Sequence, residues 1–207
     1  MIFKTSKSSE ERELERASER ALIARCKNGE IGAFDELFTR YEKRVFNCAL
    51  HICGNYHDAS DITQEAFLRV FNSIATFRGD ANFLTWVYRI VTNVFLDERK
   101  KSKAHRQTSL DEYIELDESS VARQIVDDAP LPADVVEAGE RAQIVQAAIK
   151  SLPEYQRIIV TLYHMESLSY DEIAEVLQLP IGTVKSRLNR ARLALAEILG
   201  EKPELFG

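Results

Sequence analysis

Apolar positions along the chain recur mostly at intervals of three and four, the spacing that lines one face of an α-helix. Strict alternation of the strand type is nearly absent, and helix breakers are few, with eight Gly and five Pro. The pattern predicts an all-α protein of two small helical domains joined by a flexible linker. A polar arm covers 1–18, a first helical block 19–106, a linker 107–138, a second helical block 139–200 and a tail 201–207.

Within the first block, a helix opens near His57 with Asp58 in its first turn, where the helix dipole favours negative charge. Ile62, Ala66, Phe67 and Val70 fall on one face of it, and Asp61, Gln64, Glu65 and Arg69 on the other. Taken alone this is an ordinary amphipathic helix. A turn-rich loop with two aromatics, Phe77-Arg-Gly-Asp-Ala-Asn-Phe83, comes next. The helix after it, about 82–101, places Phe83, Val87, Ile90 and Val94 toward a core. A second stripe of the same helix carries Trp86, Arg89, Asn93 and Lys100. Aromatic, amide and cationic side chains together suit single-stranded nucleic acid, because bases stack on rings while cations follow phosphates. A tryptophan packed at a helix junction would explain the same residues equally well.

The second block contains two capping-box patterns, Ser151-Leu-Pro-Glu154 and Ser169-Tyr-Asp-Glu172. The first predicts a helix through Ile158, Ile159, Leu162 and Tyr163; the second, a short helix burying Ile173, Ala174 and Leu177. Gln178-Leu179-Pro180 breaks the chain, since a proline disfavours helix in the residue before it. A third helix starts near Ile181 or Gly182, with Ile181, Val184, Leu188, Ala191 and Leu195 as its buried stripe. Its other face holds Thr183, Lys185, Ser186, Arg187, Asn189, Arg190 and Arg192. Two short helices, a tight break and a basic third helix form the helix-turn-helix layout, whose recognition helix reads base edges from its amino-terminal turns. Arg and Lys suit guanine, Asn suits adenine and Ser or Thr either, and these types crowd the first three turns here.

Charge changes the picture once it is located. The whole chain, 207 residues at formal charge −6, argues against a nucleic-acid binder. Residues 107–140, however, carry −9 by themselves. Residues 93–106 carry +3, from Arg99, Lys100, Lys101, Lys103 and Arg106 against Asp97 and Glu98. Residues 181–196 carry +4 with no acid among them, although ordinary surface helices mix signs. The acidic segment also holds Ala129-Pro130-Leu131-Pro132 and no sustained apolar stripe, hence its reading as a linker.

Other classes drop out. No apolar run approaches the roughly 18–20 residues of a membrane span; membrane insertion is not expected. The amino terminus has no apolar core of the kind a secretory signal needs. Three cysteines, Cys26, Cys48 and Cys53, form no CxxC pair, which points to a reducing cytoplasm and to no disulfide framework. His51, His57, His105 and His164 make no HExxH set, and Cys48 and Cys53 lack partner ligands at zinc spacing. No glycine loop that would cradle a phosphate occurs. Neither metal, cofactor nor catalytic residue is expected, and the chain is not read as an enzyme.

Three segments together, DASDITQEAFLRVF, TFRGDANFLTWVYRIVTNVFLDERKK and LPEYQRIIVTLYHMESLSYDEIAEVLQLPIGTVKSRLNRARLAL, resemble the extracytoplasmic-function (ECF) sigma factors of bacterial RNA polymerase, in the family's order and spacing. The resemblance covers about 20–106 and 140–199. It implies a transcription initiation factor, serving an envelope or stress response, that binds core RNA polymerase and promoter DNA. The first block then corresponds to sigma region 2 and the second to region 4. It further implies that Asp61, Gln64, Glu65 and Phe67 dock on the polymerase clamp. Phe77, Arg78, Asp80, Phe83, Trp86, Arg89, Asn93, Arg99, Lys100 and Lys101 would meet the minus-ten DNA. Thr183, Lys185, Ser186, Arg187, Asn189 and Arg190 would read the minus-thirty-five duplex. An acidic linker suits the basic path that it threads in the family. Many relatives are held inactive by an anti-sigma factor, and the apolar surfaces of both blocks are compatible with one. The free factor is expected to be a cytoplasmic monomer. The rival reading is a stand-alone helix-turn-helix regulator, which would predict a self-complementary dimer on a palindromic duplex.

Overall fold

A computed structural model describes residues 9–110 and 144–200. Residues 111–138 of the expected linker, the tail 201–207 and the first eight residues lie outside the described part. The described residues are helical throughout their regular structure and include no strand. In chain order the helices are α1 (Ser9–Lys27), α2 (Ile31–Cys53), α3 (Tyr56–Ser73), α4 (Phe83–Leu110), α5 (144–151), α6 (Glu154–Val160), α7 (Tyr170–Leu177) and α8 (Ile181–Gly200). One 3-10 turn, Ile74–Thr76, follows α3, and α6 runs on into a π-helical turn, Thr161–Met165.

The first difference from expectation is at the amino terminus. Helix α1 begins at Ser9, inside the segment read as a polar arm. Its residues are mostly strong helix formers, and it carries Glu10 and Glu11 in the first turn with Arg25 and Lys27 in the last, matching the dipole at both ends. Only its last turns are apolar enough to anchor, through Leu22, Ile23 and Cys26. Tyr41 of α2 donates a hydrogen bond to Glu19, and Arg25 reaches Glu30 (Nε to Oε2, 2.9 Å) and Glu36.

Helix α2 buries Leu37, Tyr41, Val45, Cys48 and Ile52, a stripe stepping by four and three. It ends at Gly54, whose φ of +79° is the left-handed conformation that glycine adopts without strain. A Cβ there would also crowd the aliphatic part of Lys150, at 2.9 Å. Helix α3 starts with Asn55 as its cap, the side chain accepting from the Asp58 amide at 2.9 Å. Ile62, Ala66, Phe67 and Val70 are buried as the periodicity requires.

Helix α4 is buried nearly all round through its first half. Phe83, Val87 and Val94 face α2 and α3 as expected, while Ile90 is half-buried. Leu84, Thr85, Tyr88, Val91, Thr92 and Phe95 are buried too. A helix without a polar face lies in the middle of a body. α4 does, because the second helical unit packs against its other side: Tyr88 bonds to Glu166, and Arg157 sits 5.9 Å over the Phe95 ring. One continuous apolar cluster runs through both units.

In the second unit the predicted box at Ser151 does not form. The Ser151 hydroxyl donates to the Ala148 carbonyl at 2.8 Å, at the end of α5, and Pro153 takes the cap position of α6 with no side-chain acceptor. A helix runs through Ser151 itself, and a residue inside one helix cannot cap the next. The box at Ser169 does form: Ser169 accepts from the Glu172 amide, and the Glu172 carboxylate accepts from the Ser169 amide at 2.8 Å. Ile173 and Val176 are the buried residues of α7, with Ala174 and Leu177 half-buried. Gln178 ends the helix at φ +52°, and α8 starts on the Thr183 amide bonding to Pro180 at 2.8 Å. Val184, Leu188 and Ala191 hold α8 down; Leu195 is half-buried and Ile181 is exposed.

Candidate nucleic-acid interface

Three surfaces carry the predicted residues. On α8, Lys185, Ser186, Asn189 and Arg190 are exposed, and Thr183 and Arg187 are half-buried. The buried stripe fixes the rotation of the helix, so these six side chains occupy its outer, amino-terminal half. Three cations lie over aromatic rings of neighbouring elements: Lys185 over Tyr170 at 5.7 Å, Arg187 over Tyr155 at 5.3 Å and Arg192 over Tyr163 at 4.8 Å. A ring face attracts a cation, so these contacts restrict where the charges can point before any DNA arrives. Arg192 also approaches the ring of His164, Nε to Nε2 at 3.4 Å.

The second surface is the loop before α4 with the start of that helix. Phe77, Phe83 and Trp86 form an aromatic cluster with centroid separations of 5.2–5.8 Å. Beside it lies a cavity of about 290 Å³ whose lining includes Phe77, Arg78, Asp80, Trp86, Arg89 and Glu175. Lys27 donates to the Phe77 carbonyl and lies 5.7 Å over its ring, tying the loop to α1. Asn82 supports the helix start by accepting from the Leu84 amide at 2.9 Å. Asn93, Lys100 and Lys101 are exposed farther along α4. Arg99 is half-buried, 5.3 Å over Phe95, and its Nε is 3.8 Å from the Glu154 carboxylate.

One predicted residue changes role here. Phe83 is 1% exposed and packs on Tyr41, Phe77 and Trp86, so it supports the cavity from beneath and has no free face for a base. It is the first apolar residue of the core stripe, and burying it outweighs any gain from exposing it. Sequence reasoning missed Glu175, an acid from the second unit that borders the cavity. No pattern within α7 could have shown that its outer face turns toward α4.

The third surface is the outer face of α3. Asp61 and Gln64 are exposed and Glu65 is half-buried. Asp61 lies 3.2 Å from His57, and Glu65 pairs with Arg69 at 2.8 Å. Arg69 reaches on to Asp97 at 3.1 Å, linking α3 to α4. Phe67, by contrast, is 4% exposed and edge-on to Phe38, a core residue and not a docking residue in this conformation. The outward apolar groups are Leu68 and Phe71, which sequence reasoning passed over. Leu68 stands four residues after Gln64 and Phe71 three after Leu68, so helical spacing alone placed them on the face of Asp61 and Gln64.

A helix-turn-helix with a free basic helix, beside a helical body with a cation-bearing cavity, defines a two-domain nucleic-acid-binding protein. Its sequence matches two family models, sigma-70 region 2 over residues 37–105 and sigma-70 region 4 over residues 142–195. It is 35% identical over 182 residues to the ECF RNA polymerase sigma factor SigW of Bacillus subtilis, covering 86% of this chain and 94% of that one. It is 34% identical over 183 residues to the ECF RNA polymerase sigma-E factor of Escherichia coli K12, covering 87% and 94%. In fold it resembles the sigma factor RpoE crystallised with the anti-sigma factor NepR from Bartonella quintana, with TM-score 0.63, 24% identity and coverage of 82% and 98%. CnrH, solved with the cytosolic domain of CnrY, is similar at TM-score 0.61 and 23% identity, covering 88% and 97%.

The chain belongs to the ECF RNA polymerase sigma factors. It is a promoter-directing factor, with region 2 and region 4 as its two units, and the stand-alone regulator reading is not favoured. Among the described residues no helix is long and apolar enough to cross a membrane.

Proposed function

We propose that the three surfaces divide the work of promoter opening. The outer face of α3, with Asp61, Gln64, Glu65, Leu68 and Phe71, docks on core polymerase. The cavity of Phe77, Arg78, Asp80, Trp86 and Arg89 takes a base of the opened minus-ten strand, and Asn93, Arg99, Lys100 and Lys101 follow its backbone. The outer face of α8 reads the minus-thirty-five duplex through Thr183, Lys185, Ser186, Arg187, Asn189 and Arg190. Region 2 would span 19–106 and region 4 139–200, with the acidic segment as tether.

The observation that carries this reading is the conjunction of a cation-lined cavity on aromatic residues with a separate recognition helix whose residues 181–196 hold no acid. Each alone fits many proteins; together they fit one that holds duplex at one end and melted strand at the other. Mechanism follows from differential binding. Taking a base out of the stack costs roughly a few kcal/mol, and stacking in the cavity with phosphate pairing offsets it. Each cation patch is small, so free factor would make few phosphate contacts and bind DNA weakly. The polymerase would supply effective concentration by holding both units at fixed spacing.

The factor would act in the cytoplasm as a monomer. An anti-sigma protein is a proposed partner, in keeping with the fold neighbour RpoE, solved with the anti-sigma factor NepR. Mixing the chain with core RNA polymerase and a random promoter library, then sequencing transcripts, tests the reading. A shared pair of elements upstream of the starts is the expected result; no polymerase-dependent initiation rejects it.

A further inference from the structure

The polar residues of α8 are of two kinds, and the rotation of the helix separates them. Its buried stripe is Val184, Leu188 and Ala191. At 3.6 residues per turn, Ser186, Asn189 and Arg190 point away from that stripe, more than about 120° from its middle. Lys185 and Arg192 fall on one flank, roughly 65–95° from it, and Arg187 on the opposite flank. The aromatic rings obey the same division. Lys185 lies over Tyr170 of α7 at 5.7 Å, and Arg192 over Tyr163 of the π-helical turn at 4.8 Å. Those two rings stack on each other, 5.3 Å apart and 22° from parallel, as one platform along one flank. Arg187, on the other side, lies over Tyr155 of α6 at 5.3 Å.

A ring does here what a carboxylate could not. A carboxylate holds a cation and cancels its charge. A ring face holds the cation and leaves the charge, with the guanidinium edge or the ammonium hydrogens free for another acceptor. No acid of α8 itself competes over 181–196. At Arg192 a second group helps: its Nε lies 3.4 Å from Nε2 of His164, the neighbour of Tyr163 in the same turn. That leaves the two Nη groups as the outer edge. A helix set in a major groove has base edges ahead of its apex and a sugar-phosphate wall along each flank. The ring-held cations are placed for the walls, and the apex residues for the bases.

We propose that Tyr155, Tyr163 and Tyr170 are positioning residues for duplex binding: they hold Arg187, Arg192 and Lys185 on the two flanks of α8 as phosphate contacts, and leave base discrimination to the apex residues Ser186, Asn189 and Arg190. Arg192 thereby joins the interface. The rings act before DNA arrives, by restricting long side chains whose freedom would otherwise be lost on binding. The inference rests on the promoter-factor reading above and divides the labour within its minus-thirty-five surface.

The test uses the full chain without polymerase, because phosphate contacts form on any sequence. The probe is a labelled random-sequence duplex of about 20 base pairs, titrated by fluorescence anisotropy across about 50–200 mM salt. One triple variant, Tyr155→Leu, Tyr163→Leu and Tyr170→Leu, keeps apolar bulk but has no π face. The other, with Phe at the same three positions, keeps the face and drops the hydroxyls. The Leu variant should bind at least about tenfold more weakly than wild type, at about two- to fivefold per ring-held cation, and the Phe variant should stay within about twofold. A folded Leu variant with wild-type affinity overturns the proposal. So does a Phe variant as weak as the Leu one, since the hydroxyls would then be the acting groups. Arg192→Ala alters an exposed side chain and decides the matter even where the Leu variant fails to fold. It should flatten the slope of log affinity against log salt by about 0.9, the share of one phosphate; an unchanged slope overturns the assignment. With core polymerase and the random promoter library, Lys185→Ala, Arg187→Ala and Arg192→Ala should each weaken all promoters alike, and a changed minus-thirty-five consensus overturns the division. If the wild-type chain initiates nowhere, the promoter-factor reading fails, while the salt slopes still decide whether the ring-held cations meet phosphates.

Discussion

Helices α4 and α8 carry similar chemistry in opposite surroundings. Both set cations and amides beside aromatic rings. On α8 three buried apolar residues hold the helix down and Lys185, Ser186, Asn189 and Arg190 face solvent. On α4 the apolar stripe widens until the helix is enclosed on both sides, and what remains accessible is a cavity rim and a cationic end. The contrast suits the two substrates proposed for them. A duplex offers its groove ready-made, so the reader can be a rigid, exposed helix. A melted base must be taken from a stack, so its receiver needs enclosure and rigid walls.

The difference can be broken hardest at the enclosed end. Phe83→Ala removes a buried aromatic from beneath the cavity and from the core at once. It should cost about 3–5 kcal/mol of stability, seen as a lower denaturation midpoint, together with loss of minus-ten discrimination. Stability within about 0.5 kcal/mol of wild type would contradict the packing described, since surface changes are the ones of that size. Arg190→Ala should do the reverse. Its side chain is exposed, so melting should not shift, while discrimination at one minus-thirty-five position falls by about 1–3 kcal/mol. Uniform weakening on all sequences would reassign Arg190 to a phosphate.

The same contrast decided what could be read from the sequence. α8 was legible through most of its length, because its packing partners are local, within the same unit. The three-and-four spacing fixed Val184, Leu188 and Ala191 inside, and with them every polar residue outside. α4 was legible only on the side that packs within its own unit. Thr85 and Tyr88 are buried by a unit that begins some sixty residues later, and no local period encodes that contact. For Phe67 and Phe83 the helical period pointed to the core and motif position to a surface, and both are buried as the period has it. The start of α1 was missed because its first turns bury nothing; helix propensity and matched end charges hold it, a weaker signal than a stripe.

A smaller effect probes the scaffold that orients the open helix. Ser169→Ala removes the hydroxyl that accepts from the Glu172 amide at the start of α7. The expected cost is about 1 kcal/mol of stability, measured by thermal unfolding. Ser151→Ala, at the other predicted box, should cost less, since its hydroxyl meets only a carbonyl of its own helix. Equal costs would mean that the Ser151 box forms in solution.

The smallest expected effect is a pH dependence with one histidine on each side of the comparison. His51 of α2 is half-buried, with its Nδ1 enclosed and unpartnered. Burial lowers its pKa below the usual 6.5, with Glu166 acting weakly in the other direction. His164, beside Arg192 of α8, is lowered by partial burial and then by Arg192. In both cases the unfolded chain takes up a proton more readily than the folded one. The stability these groups contribute is therefore full above pH 6.5 and is lost as pH falls from there through the lowered folded values. Glu98, raised by burial and by Asp58 and Asp61, has the opposite sign: its contribution fades as pH rises past the usual 4.5, so it works against the histidine slope. Unfolding midpoints at about pH 7.5 and 5.5 should differ in wild type, and His51→Gln and His164→Gln should each flatten part of that slope. His51→Gln should do so only while region 4 covers α2, so adding a triple variant that weakens that contact, Glu166→Ala, Glu172→Gln, Glu175→Ala, should erase its share and spare that of His164. If both shares survive opening, His51 is buried by its own unit, and the enclosed side of the molecule is enclosed for another reason.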